Sequence, residues 1–193
     1  MNETELRDRL LVELEDTKGA LHLDKEVPIP YKHIYLPVTS NKPKLEIWCF
    51  KQDIVFYEPL FDKEIRYKDA VIKAGNNDIV DIVLEKDNAQ NTSHVGLPHV
   101  IIETKVKQPN THDILTYSQK VEMIKTIFPY CKFIFLIYGT ISPRTFRHGL
   151  NFDQIISIRD VSSKTEISHF KEIVKKLLGD VKRGISLIRA PAE

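Results

Sequence analysis

Cysteines and long apolar runs are scarce in this 193-residue sequence. The only two cysteines, Cys49 and Cys131, lie far apart in apolar surroundings, so we expect small buried side chains and no disulfide. The seven histidines and two cysteines form no His-x-x-x-His or Cys-x-x-Cys spacing of the kind that favours zinc. No apolar run is long enough to cross a bilayer and no secretion signal stands at the N-terminus, so we expect a cytoplasmic protein.

Charge is nearly balanced over the chain but unevenly distributed. The formal net charge is +1, whereas residues 132–193 hold 11 Lys and Arg against 6 Asp and Glu, a local excess of +5. Such an excess is a modest footprint for a phosphate-backbone partner, although a solvated helix face explains about half of it. The basic residues that form this cluster are Arg144, Arg147, Lys171, Lys175, Lys176, Lys182, Arg183 and Arg189.

Hydrophobic periodicity predicts alternating helices and strands in a single domain that spans residues 1–193. A strand is predicted at 100–106, a helix from 111 or 113 to before Pro129, and a second strand at 132–138. This order implies a crossover connection and hence a parallel strand pair. Together with an antiparallel hairpin formed by strands 79–85 and 100–106, this pair predicts an α/β fold with a central mixed β-sheet flanked by helices. The other predicted elements are a helix at about 3–16, strands at 45–50, 54–57 and 154–158, and a helix at 165–178 closed by Gly179.

Two charges interrupt the apolar, β-branched segment from Val100 to Val106. Residues two apart in a strand point to the same side, so Glu103 and Lys105 project together. Burying an unpaired charge is expensive, and Asp81, on the strand that we predict to be adjacent, supplies a further charge. We therefore interpret Asp81, Glu103 and Lys105 as a functional site. Asp78 would lie on the opposite face from Asp81 and is the alternative aspartate.

The chemistry of these side chains suits phosphodiester hydrolysis. Asp81 and Glu103 offer the hard oxygen ligands that Mg²⁺ prefers, and Mg²⁺ usually keeps water and substrate phosphate in its other positions. A metal ion of this kind polarises the phosphoryl oxygen and activates a bound water. The neighbouring Lys105 would hold that water and offset the charge that develops on the phosphate.

At these residues the chain resembles the PD-(D/E)xK nuclease superfamily, whose motif is an aspartate on one strand and Glu-x-Lys on the next. More narrowly it resembles restriction endonucleases and the N-terminal nuclease domain of type I restriction R subunits. The resemblance extends over roughly residues 5–139, followed by a basic extension at 140–193. It rests on residues 7–14 with 26–29, on Asp81-Ile82-Val83-Leu84, on the segment from Gly96 to Lys105, and on a following helix with a glutamine.

The resemblance implies a restriction-endonuclease-like core and a role for each matching residue. Asp81, Glu103 and the Thr104 backbone carbonyl would bind Mg²⁺, Lys105 would be the catalytic lysine, and Gln119 would correspond to the helix glutamine of some members. Two positions depart from the family pattern. Val80 replaces the proline before the aspartate, and Met123 stands where Gln-x-x-x-Tyr requires tyrosine.

Further residues are candidates for metal binding or for contact with DNA. Some superfamily members draw an additional acidic ligand from the first helix, which makes Glu13 a candidate, with Glu26 as another; solvated glutamates are the common alternative. The candidate phosphate contacts are Lys107, Lys120, Arg144 and Arg147.

The sequence thus predicts a magnesium-dependent endonuclease of the restriction type that cleaves double-stranded DNA. A single small domain has little room for sequence recognition, so we expect a homodimer or a larger recognition subunit as partner. Two alternatives remain open. The same site occurs in nucleases of repair, recombination or transposition that recognise DNA structure, and a non-catalytic DNA-binding module of the same fold would keep the same carboxylates.

Overall fold

The computed structural model describes residues 1–31, 46–60, 65–66, 70–74, 79–84, 92–93 and 95–189. The helices are α1 (Glu3–Leu14), α2 (Thr111–Ile127), α3 (Pro143–His148) and α4 (Lys164–Arg189). The strands are β1 (His22–Pro30), β2 (Glu46–Pro59), β3 (Ile65–Arg66), β4 (Ala70–Ala74), β5 (Ile79–Leu84), β6 (Thr92–Ser93), β7 (Gly96–Lys105), β8 (Lys132–Tyr138) and β9 (Gln154–Ile158).

Seven of these strands form one mixed sheet. Its order is β4-β5-β2-β7-β8-β9, with β1 also paired to β2, while β3 and β6 form a separate two-stranded ribbon. The pairs of β2 with β1, β5 and β7 are antiparallel, whereas β7–β8 and β8–β9 are parallel and are joined through helices. The predicted α/β fold with a central mixed sheet flanked by helices is confirmed.

Alternating side chains divide the core between the two faces of the sheet. Helices α1 and α4 bury leucine and aromatic side chains on one face, against Ile54, Ile102 and Ile134. Helix α2 covers the other face, where Val121 and Ile124 pack against Ile101 and other strand residues. Because residue 101 faces α2 and side chains alternate along a strand, positions 103 and 105 also lie on the α2 side.

Strand β2 is longer than predicted and determines which strands are neighbours. Its central residue Val55 pairs with Asp24 of β1 and with Ile101 of β7, while nearer its start Cys49 pairs with Pro30 of β1 and Val80 of β5. A strand has two hydrogen-bonding edges, so β5 and β7 occupy successive parts of the same edge of β2. The predicted hairpin between the strands at 79–85 and 100–106 is therefore wrong, because both strands pair with β2.

Two helix boundaries also differ from those predicted. Asn110, rather than Thr111 or Asp113, is the N-cap of α2, and its side chain accepts a hydrogen bond from the Asp113 backbone N–H. Helix α4 continues through Gly179 to Arg189, because its apolar stripe continues as far as Val181, which is buried. No helix in the described ranges is long and apolar enough to cross a membrane.

Candidate functional site

Three acidic residues lie side by side on neighbouring strands. In the antiparallel pairing of β2 with β7, Ile54 lies opposite Ile102. The next position in this register therefore places Asp53 opposite Glu103. On the other edge of β2, Glu26 lies between Lys25 and Val27, which pair with Ile54 and Gln52, so Glu26 also faces Asp53. The register thus forms a row across β1, β2 and β7: Glu26, Asp53, Glu103.

Asp53 is held by hydrogen bonds to both of its carboxylate oxygens. Oδ2 accepts from the Thr104 backbone N–H at 2.9 Å and from the Thr104 hydroxyl at 2.7 Å. Oδ1 accepts from Arg7 Nη1 at 3.0 Å, and only 17% of the Asp53 side chain is exposed. Hydrogen bonds that involve a charged partner are the stronger kind, so this carboxylate has a fixed orientation beside the last residues of β7.

Glu26 projects from a conformation that residues other than glycine rarely adopt. Its φ angle is 57°, and no other non-glycine residue of the described chain has a positive φ. Its carboxylate lies 3.6 Å from Arg7 Nη1 and 3.2 Å from Lys51 Nζ. Arg7 Nη1 therefore contacts both the Glu26 and the Asp53 carboxylates, whereas the buried Arg7 Nε has no hydrogen-bond partner among the described residues.

Lys105 lies two residues beyond Glu103 and contacts helix α2. Its ammonium group is 4.7 Å from the centre of the Tyr117 ring and 3.4 Å from Glu3 Oε1. Burial by itself would lower the pKa of Lys105, but the neighbouring Tyr117 hydroxyl and the carboxylates of Glu103 and Glu3 raise it above its ordinary value. Lys105 is therefore protonated at neutral pH and acts as a hydrogen-bond donor rather than a base.

The environment of Tyr117 keeps its hydroxyl protonated. Burial, followed by the nearby negative charge of Glu103, raises the pKa of Tyr117 to about 12, although Lys105 acts in the opposite direction. At neutral pH the phenol therefore carries no charge, and its oxygen is free to accept from the Lys105 ammonium group.

These side chains line one cavity of about 260 Å³. Four acidic and three basic side chains, together with one amide and one phenol, form its wall. The lining residues are Glu3, Arg7, Glu26, Lys51, Gln52, Asp53, Glu103, Lys105 and Tyr117. Concentrated, partly buried charges of both signs in a concave site are typical of functional sites, although ion-pair networks with a purely structural role also occur.

The predicted site residues fall into two groups. Glu103 and Lys105 line the cavity, and Thr104 lies between them in contact with Asp53. The backbone of Asp81 lies in β5 opposite Trp48 of β2. Trp48 is five positions from Asp53 along β2, which is about 17 Å in an extended strand. Asp53, rather than Asp81, is therefore the aspartate that the register places beside Glu103. Asp78 and the side chain of Asp81 lie outside the described residues.

The other candidate residues lie in several places. Gln119 is exposed on α2, outside the set of cavity-lining residues. Glu13 lies 4.0 Å from Lys171 of α4, outside the cavity, whereas Glu26 lines it. The candidate DNA contacts Lys107, Arg144 and Arg147 are exposed, while Lys120 is half-buried with Nζ 5.1 Å from the centre of the Tyr117 ring.

Sequence reasoning missed Asp53 because its local pattern is repeated. Asp-Ile-Val occurs three times, beginning at Asp53, Asp78 and Asp81, and each occurrence resembles the start of a buried strand. Element order gives no signal either, because Arg7 and Glu26 precede all three aspartates in the chain. Asp53 is distinguished only by the strand register and by its ion pair with Arg7, which also contacts Glu26.

The donor chemistry of the cavity suits a hard divalent cation. Asp53 and Glu103 supply two carboxylates, the number that Mg²⁺ typically takes from a protein. No three His, Cys, Asp or Glu side chains within the described ranges are close enough to enclose a metal ion. Arg7 separates the Glu26 and Asp53 carboxylates, so Asp53 and Glu103 are the pair that fits Mg²⁺.

Comparison with protein-family models and with curated proteins finds no match for the chain.

Proposed function

We propose that this chain is a magnesium-dependent endonuclease that hydrolyses phosphodiester bonds in DNA. The observation that carries the proposal is the placement of Asp53 opposite Glu103, with Lys105 projecting into the same cavity. An aspartate on one strand and Glu-x-Lys on the neighbouring strand is the arrangement of the PD-(D/E)xK nucleases that the sequence resembles. Asp53 takes the role that the sequence analysis gave to Asp81.

Each residue of the cavity has a distinct task in this reaction. Asp53, Glu103 and the Thr104 carbonyl would hold Mg²⁺, which supplies Lewis-acid activation of water and phosphate. The Lys105 ammonium group donates hydrogen bonds to the attacking water and offsets negative charge on the phosphate. Arg7 and Thr104 fix the Asp53 carboxylate, so that it is oriented before the substrate arrives.

The substrate that fits is double-stranded DNA, with cleavage of the restriction type. The exposed cations Lys107, Arg144 and Arg147 supply phosphate contacts that position a duplex without reading its sequence. Recognition of a specific sequence requires more surface, which a second copy of the chain or a larger recognition subunit would provide. Nucleases of repair, recombination or transposition recognise branched DNA instead. Comparing the cleavage of plasmid DNA with the cleavage of branched DNA distinguishes these nucleases from the restriction type.

A second candidate function is DNA binding without cleavage, and one contact favours it. The Arg7 guanidinium group lies 3.0 Å from Asp53 and neutralises a carboxylate that a metal ion would otherwise use. If this ion pair persists with DNA bound, the domain positions a larger partner and performs no chemistry of its own.

The test is cleavage of supercoiled plasmid DNA by the purified protein with Mg²⁺ or with a chelator. We expect nicked or linear product with Mg²⁺ only. We expect Asp53→Asn and Glu103→Gln each to lower the rate by at least about 100-fold, since each removes a charged ligand, while duplex binding remains. Binding without cleavage by the wild-type protein, at any Mg²⁺ concentration, would favour the second function.

Two control variants make the assignment specific. Asp8→Asn removes an exposed carboxylate that pairs with Lys25 and should leave cleavage unchanged. Asp81→Asn separates the two assignments of the aspartate: we expect near wild-type cleavage. Loss of cleavage in Asp81→Asn together with full cleavage in Asp53→Asn would restore Asp81 and contradict the assignment made from the strand register.

A further inference from the structure

The rotation of helix α2 decides which of its side chains reaches the cavity. Ile114, Ser118 and Val121 are buried against the sheet, and Tyr117, one helical turn after Ile114, lines the cavity. Successive residues of an α-helix are about 100° apart, so Gln119 points about 200° away from Tyr117. The helix cannot present both side chains to Lys105, and it presents Tyr117.

Lys105 needs an anchor because its side chain is long and flexible. A lysine ammonium group on a four-carbon stem loses its position readily unless its surroundings fix it. The contact with Glu3 is weak, since the two atoms are 3.4 Å apart and 44% of the Glu3 side chain is exposed to screening solvent. Tyr117 contacts the same group: its ring centre lies 4.7 Å from Nζ, and its hydroxyl is near enough to help raise the pKa of Lys105.

Tyr117 is itself held in place. Its ring lies 5.9 Å from the ring of Phe135 on β8, and Lys120 Nζ lies 5.1 Å from the Tyr117 ring centre. The backbone of α2 and the buried strand β8 thus fix the ring, which leaves the hydroxyl as the atom that selects one position of the Lys105 ammonium group.

We propose that Tyr117 is the positioning residue for Lys105 in the cleavage reaction, with its hydroxyl holding the ammonium group beside Glu103. This inference rests on the proposed function. Tyr117 performs no proton transfer and does not contact the phosphate; it acts only through Lys105. The competing explanation is that Tyr117 merely fills space against Phe135, a role that phenylalanine would serve equally well.

The decisive variant is Tyr117→Phe, which keeps the ring and removes only the hydroxyl. We expect kcat for plasmid cleavage to fall about 10-fold to 100-fold, the range for loss of a hydrogen bond to a charged group. We expect KM, the Kd for a DNA duplex and the Tm to remain close to wild type. Tyr130→Phe is the matched control, because Tyr130 contacts Phe128 and His99 outside the cavity, and it should leave kcat unchanged.

A double-mutant cycle with Lys105→Ala tests whether Tyr117 acts through the lysine. Residues that act as a unit give non-additive effects, so Tyr117→Phe should have no further effect on the residual rate of Lys105→Ala. A second loss of about the same factor would overturn the proposal, because Tyr117 would then act independently of Lys105.

A measurement that needs neither activity nor metal completes the test. In nitrogen-15 lysine spectra of the metal-free protein, the Lys105 ammonium signal is assigned by its disappearance in Lys105→Met. We expect this signal to shift or to broaden by faster exchange in Tyr117→Phe and to remain unchanged in Tyr130→Phe. An unchanged signal in Tyr117→Phe overturns the proposed contact.

The outcomes separate the two proposals. Absence of cleavage by the wild-type protein overturns the proposed function, and Tyr117 then has no role in catalysis either. Normal cleavage by both the wild type and Tyr117→Phe overturns the role of Tyr117 alone and leaves the endonuclease in place.

Discussion

Backbone strain at one residue brings a third carboxylate to the cavity. Glu26 has a φ angle of 57° in the middle of β1, where a side chain with a Cβ atom costs about 1 kcal/mol more than glycine. Its carboxylate contacts Arg7 and Lys51, both cavity residues. Strained conformations are found where the surrounding structure enforces them, and here the ion pairs and the register with β2 do so.

The strain at Glu26 predicts an unusual order of variant stabilities. Both Glu26→Gly and Glu26→Ala lose the same ion pairs, so the difference between them isolates the backbone. We expect Glu26→Gly to be more stable than Glu26→Ala by about 1 kcal/mol, measured by urea unfolding. The pair Lys25→Gly and Lys25→Ala, one position earlier and without positive φ, should show the reverse order. The same order at both positions would contradict the strain.

At this scale the sequence singled out Glu103 and Lys105, which line the cavity, but not the residues beside them. Two charges within an apolar β-branched segment are a local signal, visible without knowledge of the fold. The choice of Asp53 among three Asp-Ile-Val repeats depends on strand pairing, and the choice of Tyr117 over Gln119 depends on the rotation of α2. Neither is encoded within a short window, because both are set by contacts between distant segments.

At the scale of elements, a single carboxylate joins α2 to strand β8 and to the turn before β9. Asp153 accepts from Lys125 of α2 at 2.7 Å, from Lys132 at 3.1 Å and from the Phe133 backbone N–H at 2.8 Å. Burial would raise the pKa of Asp153, but these hydrogen bonds, above all that from Lys125, lower it below its ordinary value. The charged form of Asp153 therefore stabilises the folded state.

The lowered pKa of Asp153 predicts a pH-dependent contribution to stability. A carboxyl whose pKa is lower in the folded than in the unfolded state stabilises the folded state fully above its unfolded pKa of about 4. This stabilisation is lost as the pH falls through the folded-state pKa. We expect Asp153→Asn to lower the free energy of unfolding by about 2 kcal/mol at pH 7. The difference from wild type should shrink below about pH 4 in urea unfolding. Asp8→Asn, at an exposed pair, should show little effect at either pH.

Sequence patterns located most elements because each has its own periodicity. Strands β8 and β9 begin and end where predicted, and α2 ends before Pro129 as expected. The errors concern continuity and pairing. Strand β2 is one strand of 14 residues instead of two short ones, and α4 passes through a glycine. Pairing with β1 holds Lys51 and Gln52 extended between the segments of β2 that pair with β5 and β7, which no local pattern predicts.

On the scale of the whole molecule, the layered fold separates two groups of basic residues. Helix α2, together with α3, which packs on α2, carries Lys120, Arg144 and Arg147. Lys107 follows the end of β7, two residues after the cavity-lining Lys105. Helix α4 packs on the opposite face of the sheet and exposes Lys175 and Lys176 to solvent. The proposed function requires DNA to approach the cavity, so only the first group should contact phosphate.

This separation predicts which charges control the salt dependence of DNA binding. Each phosphate contact that is lost lowers the slope of log Kobs against log[salt] by about 0.9, because one fewer counterion is released. We expect Lys107→Gln with Lys120→Gln, and separately Arg144→Gln with Arg147→Gln, to weaken duplex binding and to reduce this slope by up to about 2. Lys175→Gln with Lys176→Gln removes the same charge from the far face and should leave the duplex affinity and the salt slope unchanged. Both are measured by fluorescence anisotropy over a range of salt concentrations.

Equal effects from all three pairs would show that binding follows net charge alone. A dominant effect of the α4 pair would place the duplex on the face away from Asp53, Glu103 and Lys105, where the proposed cleavage could not occur.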